Sequence, residues 1–106
     1  MVSEKIIQTE IQLELAKIGI RLWRNNVGLF DTKDGRKIRT GLCVGSSDLI
    51  GIVIVSGKFI AIEVKAEKGR PTKEQLAFIK MVNDCGGIAF IARSVEEAVK
   101  MLKERL

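Results

Sequence analysis

Apolar residues along the chain switch between a helical and a strand period, and each switch marks an element. Ile7, Ile11, Leu15 and Ile18 recur at i, i+4, i+8 and i+11. That is one buried helical face, opened by Ser3 as N-cap and ended by Gly19. A strand over 20–24 follows. Within 25–44, the hairpin-type turn Asp34-Gly35 is flanked by Leu29-Phe30 and Ile38, which predicts two short strands around a mobile loop. The clearest strands are 48–55 and 58–66, joined by Ser56-Gly57 as a two-residue hairpin turn. Pro71-Thr72 opens a second helix, where Thr72-x-x-Gln75 matches a capping box, and Gly86-Gly87 closes it. Residues 88–92 are wholly apolar, as in a strand inside a sheet. Ser94-x-x-Glu97 caps a last helix with Val95, Ala98, Val99 and Leu102 as its inner stripe. The order reads α-β-β-β-α-β-α. With 106 residues there is material for one core, so one α/β domain spanning 1–106 is expected.

The hairpin holds the charges that need explaining. With Ser56-Gly57 as the turn, Val55 faces Lys58, Asp48 faces Lys65 and Ile50 faces Glu63. Side chains alternate along a strand, so Asp48, Glu63 and Lys65 share a face. Asp48 and Glu63 become diagonal neighbours with Cα atoms about 7–8 Å apart, a gap two carboxylates close around a cation. The run 59–66 is apolar enough to be central, and desolvated lone charges are costly, so Glu63 and Lys65 must pair, bind a metal or reach water. Two readings satisfy this geometry. In one, the strand end emerges into solvent and Asp48–Lys65 is an exposed pair worth under ~1 kcal/mol. In the other, Asp48 and Glu63 hold Mg²⁺ or Mn²⁺ through hard oxygen, and Lys65 stabilises charge developing on a scissile phosphate or positions the attacking water.

Composition narrows the chemistry. The chain has no histidine, which excludes Ser-His-Asp and Cys-His catalysis and His-ligated zinc. Hydrolysis here must rest on carboxylates, lysine and a hard metal, with no organic cofactor. Eighteen Lys and Arg against thirteen Asp and Glu give a charge of +5, compatible with a polyanionic partner. Arg24, Arg36, Lys37, Arg39, Lys68 and Arg70 fall before Asp48 and after Lys65, so they flank one pocket and suit phosphate contacts, as charged loops also suit plain solvation. Asn25 and Asn26 are placed for DNA contact or for a turn, and Trp23 for the core. Cys43 and Cys85 lie far apart and are expected as buried free thiols. No apolar run nears the roughly 18 residues of a membrane span, and residues 1–20 lack a signal-peptide pattern, so a cytoplasmic location is expected.

Gly45-Ser46-Ser47-Asp48-Leu49-Ile50-Gly51 followed by Ile62-Glu63-Val64-Lys65-Ala66 resembles the PD-(D/E)xK nuclease core, and more narrowly the virus-type replication–repair nuclease (VRR-Nuc) domain. Trp23-Arg24-Asn25-Asn26-x-Gly28, Gly69-Arg70-Pro71-Thr72-x-x-Gln75 and Gly86-Gly87-Ile88-Ala89-Phe90 extend the resemblance over nearly the whole chain. Ser47 stands where the superfamily often has proline, a position that shapes backbone and does no chemistry.

The resemblance implies a restriction-endonuclease-like α-β-β-β-α-β core with a C-terminal helix, a mixed central sheet and a metal site at the hairpin. It implies that the Val64 carbonyl completes the metal shell beside Asp48 and Glu63, and that Gln75 and a first-helix acid join the site. Ser3-Glu4-x-x-Ile7-Gln8 matches the family's opening and selects Glu4. Glu10, on the Ile6–Leu13 edge of the apolar arc, is the alternative, with Glu14 behind. Helix dipole and capping box explain Glu4 and Gln75 equally well. Stand-alone members, phage- or prophage-encoded types among them, are similar to Holliday-junction resolvases of DNA repair and recombination. A homodimer acting on branched DNA is therefore expected, because two symmetric cuts need a two-fold enzyme. The segment 25–40 would face substrate or partner. Rival readings are a flap, nick or single-strand nuclease with the same site, a non-catalytic DNA-binding module, and a basic subunit of a larger assembly.

Overall fold

A computed structural model describes residues 2–106. Helix α1 (Glu4–Ala16) starts where the Ser3 hydroxyl accepts from the Ile6 amide, and it buries Ile7, Ile11 and Leu15. It stops short of the expected Ile18, which lies in the following turn and is 38% exposed rather than buried. Next come β1 (Ile20–Arg24), β2 (Gly28–Asp31), β3 (Lys37–Thr40), β4 (Leu49–Val53), β5 (Phe59–Val64), α2 (Lys73–Asp84), β6 (Ile88–Ala92) and α3 (Val95–Arg105). The sheet order is β1-β4-β5-β6, with β4 antiparallel to both neighbours and β6 parallel to β5. A parallel pair needs a crossover, and α2 supplies it. β2 and β3 form a separate two-stranded hairpin. Among the described residues, no helix is long and apolar enough to cross a membrane.

β5 lies between β4 and β6 with both faces covered. Ile60, Ile62 and Val64 join the larger core with Ile11, Leu15 and Leu102 from α1 and α3. Ala61 packs on the opposite face with Ala89, against Phe78 and Val82 of α2. These two alanines let α2 settle close to the sheet. Alternation then assigns Glu63 to the α2 face.

The β4–β5 turn is wider than expected. A two-residue turn at Ser56-Gly57 would force Ser56 to positive φ, whereas only Gly57 takes it, at φ 75°. The strands instead close with the Val53 amide donating to the Lys58 carbonyl at 2.9 Å, leaving loop 54–57 outside and Val55 94% exposed. The register becomes Leu49↔Ile62, Ile50↔Ala61 and Gly51↔Ile60. Relative to the expected pairing, every partner moves by two residues, so each side chain keeps its face.

Candidate active site

The corrected register brings the acids closer than expected. One rung beyond Leu49↔Ile62, Asp48 stands directly opposite Glu63, and Lys65 does not face Asp48. Glu63 is 2% exposed. Its Oε2 accepts from Gln75 Nε2 at 3.2 Å and lies 3.6 Å from Lys65 Nζ, while its Oε1 is buried with no hydrogen-bond partner. Burial, followed by repulsion from the facing Asp48, pushes the Glu63 carboxyl up to about 8, against the opposing pull of Lys65. Asp48 Oδ2 accepts from the Val64 amide at 2.9 Å.

Gln75 makes contact with both the cap and Glu63. Its Oε1 accepts from the Thr72 amide at 2.8 Å, completing the capping box, while its Nε2 serves Glu63. The two ends of one carboxamide divide the work, so the side chain has no choice to make between cap and site.

A cleft of about 350 Å³ opens beside Asp48, lined by Gln8, Asn26, Ser46, Asp48 and Gln75 among others. Larger clefts of about 600 and 720 Å³ lie elsewhere, over α2 and between α1 and α3, away from the paired acids. Of the first-helix acids, Glu4 approaches the end of β5, where its Oε2 accepts from the Ala66 amide at 3.2 Å. Glu10 and Glu14 line the α1–α3 cleft with Lys100 and Lys103, away from Asp48, which removes Glu10 as the alternative. Gln8, one helical turn after Glu4, is the α1 side chain that reaches the cleft, a position to which the sequence pattern assigns no role. Its spacing of four from Glu4 was the available signal.

The candidate DNA contacts divide. Lys68 and Arg70 are exposed on the loop between β5 and α2. That loop is held by Arg93, whose Nη1 donates to the carbonyls of Ala66 and Gly69, each at 2.7 Å. Arg36 and Lys37 pair with Asp34 and Asp31 on the exposed β2–β3 hairpin, where Arg39 also projects. Arg24 is tied back to α1, donating to Thr9 Oγ1 at 2.6 Å. Asn26 is exposed, but Asn25 is buried and its amide is wholly engaged, so it is not available to DNA. Trp23 is half-exposed rather than core, because the outer edge of β1 has no layer over it, and Cys43 and Cys85 are exposed rather than buried, both on turns.

The donor set fits a hard divalent cation. The two facing carboxyls are all oxygen, and Glu63 Oε1 is a buried acceptor lacking a donor, which a cation would satisfy. Among the described residues, no cluster of three or more His, Cys, Asp or Glu side chains is present. A site here would therefore draw on two carboxylates, backbone carbonyl oxygen and water. That is how Mg²⁺ is commonly held.

The family described as the VRR-NUC domain matches this chain over residues 3–96. A solved structure described as a VRR_NUC domain superposes with a TM-score of 0.67, covering 97% of each chain at 20% identity, a likeness of fold. No curated protein matches the chain.

Proposed function

The chain belongs to the VRR-NUC domain family and is a nuclease-type domain, and from that premise we propose that it is a Mg²⁺- or Mn²⁺-dependent endonuclease acting on branched DNA as a homodimer. The observation that carries the reading is the buried Glu63, with one acceptor oxygen left unpartnered, facing a half-buried Asp48 that lines a small polar cleft. Asp48, Glu63 and the Val64 carbonyl would hold the cation. When bound, it would supply Lewis-acid polarisation of a phosphodiester and acidify the attacking water.

The chain's own groups do the rest. Gln75 holds Glu63 through Oε2, leaving Oε1 without a protein donor. Lys65, anchored near Glu63, supplies a fixed positive charge where negative charge develops on the phosphate. Lys68 and Arg70 grip flanking phosphates from a loop that Arg93 keeps in place.

The β2–β3 hairpin supports the dimer. Phe30 faces Ile38 across it, and both are more than half exposed. An isolated two-stranded hairpin is at best marginally stable in water, and a second copy would cover this apolar rung. A two-fold pair also presents two cutting sites to a four-way junction. Incubating the protein with labelled four-way-junction, flap and linear duplex DNA, with Mn²⁺ or with a chelator, tests the reading. Cleavage is expected on the junction, in paired cuts, and only with metal. Cleavage undiminished by chelator would overturn it.

A further inference from the structure

In an antiparallel ladder, rungs with reciprocal backbone hydrogen bonds alternate with rungs lacking them. The Val53–Lys58 bond makes that rung hydrogen-bonded, so by alternation 51–60 and 49–62 are too, and the next would be 47–64. Regular pairing would have the Val64 amide donate to the Ser47 carbonyl. It does not. The Ser47 carbonyl accepts instead from Asn25 Nδ2 at 2.9 Å, and the Val64 amide is given to Asp48 Oδ2.

Asn25 is built to make this diversion. It is 8% exposed, and each polar atom of its amide is used. Nδ2 also donates to Ser46 Oγ at 2.7 Å, and Oδ1 accepts from the Leu42 amide at 3.0 Å. Its backbone amide donates to the Asp48 carbonyl at 2.7 Å, fixing that residue from the β1 side. One side chain thus grips loop 41–47 at both ends. The loop's middle is pinned by Gly45, at φ 84°, where a Cβ would fall 2.6 Å from the Glu74 backbone in the first turn of α2. That turn carries Gln75, the partner of Glu63.

We infer that Asn25 is a positioning residue, which draws the Ser47 carbonyl out of the β4–β5 ladder so that the Val64 amide seats the Asp48 carboxylate opposite Glu63. The role presupposes the metal-site reading, but the seat itself is a property of the metal-free protein and is measured there. Asn25→Asp keeps the acceptor for Leu42 and removes both donations, setting carboxylate oxygen against the Ser47 carbonyl. Asn25→Ala removes all three bonds.

The test is NMR on wild type, Asn25→Asp and Asn25→Ala without metal, reading the hydrogen-bond scalar coupling between the Val64 amide and the Asp48 carboxyl carbon together with amide exchange at Leu42 and Ala89, followed by Mn²⁺ titration calorimetry on the same samples. The Val64–Asp48 coupling is expected to be lost in both variants as the Ser47 carbonyl returns to the ladder, and the Leu42 amide to exchange faster only in Asn25→Ala. The Ala89 amide, held by Asn83 Oδ1, should be unchanged and reports on global stability. Mn²⁺ affinity should fall about tenfold in both variants. An undiminished Val64–Asp48 coupling in Asn25→Asp overturns the inference, and so does faster exchange at Ala89 in both variants. A wild type that binds no Mn²⁺ would defeat the metal reading, while the Val64–Asp48 coupling still decides the positioning role.

Discussion

Glu63 stands directly across from Asp48, one rung past the last paired residues of β4 and β5, and the Asp48 carboxylate adds to burial in opposing ionisation of Glu63. A protein that buries one acid against another this way keeps a proton on the buried one until something of opposite charge arrives.

The pH dependence of stability follows from the raised Glu63 carboxyl. In the unfolded chain it titrates near 4.5, and in the folded protein near 8. Between these values the folded state holds a proton that the unfolded state has released, so stability falls as pH rises through that window. The contribution is fully present below the lower value and lost above the upper one. Glu63→Gln should flatten this slope and melt higher than wild type at pH 8 without metal. Thermal melts across pH 4 to 9 check this; an unchanged slope in the variant would count against a protonated Glu63.

Gln75 and Thr72 separate capping from site chemistry. Both Thr72→Ala and Gln75→Ala lose part of the capping box, each at a cost of about 1 kcal/mol. Only Gln75→Ala also frees the Glu63 carboxyl. Melting temperatures should drop by similar amounts, while the cleavage rate should fall about tenfold in Gln75→Ala alone. Equal rates in the two variants would reduce Gln75 to a cap.

Phe30→Asp and Ile38→Asp place a charge on the apolar rung of the hairpin. Light scattering should show a dimer for wild type and a monomer for either variant. A wild type that stays monomeric even with junction DNA bound would remove the basis for paired cutting.

Lys68 and Arg70 sit on the loop that Arg93 braces. Replacing either with alanine should weaken DNA binding without sequence preference and reduce the salt slope of log Kd by about one unit each. Fluorescence anisotropy from 50 to 200 mM salt measures it, and unaltered slopes would move the phosphate track elsewhere.

Much of this site was legible in the sequence because the relevant rules are local or periodic. The capping signals at Ser3, Thr72 and Ser94 each start a helix. Asp48, Glu63 and Lys65 kept a common face although the turn was misplaced, since a shift of two residues preserves strand parity. What escaped depends on tertiary surroundings. Asn25 reads as a turn or DNA contact until the loop 41–47 folds over its amide. Trp23 and the two cysteines are exposed because no layer covers their positions, which hydrophobicity alone does not report. Which first-helix acid nears the sheet depends on how α1 docks, so the sequence left Glu10 open where the fold brings Glu4 to the end of β5 and turns Glu10 toward α3.

The central claim is that Asp48 and Glu63 together make a metal-dependent cutting site. Its most direct test is the rate of Mn²⁺-dependent cleavage of a labelled four-way junction by wild type, Asp48→Asn and Glu63→Gln, with DNA binding measured alongside. Both variants should bind DNA as wild type does and cleave about a hundredfold more slowly or worse, as expected when a cation worth several kcal/mol to the transition state is lost. Cleavage by both variants at the wild-type rate would contradict the account.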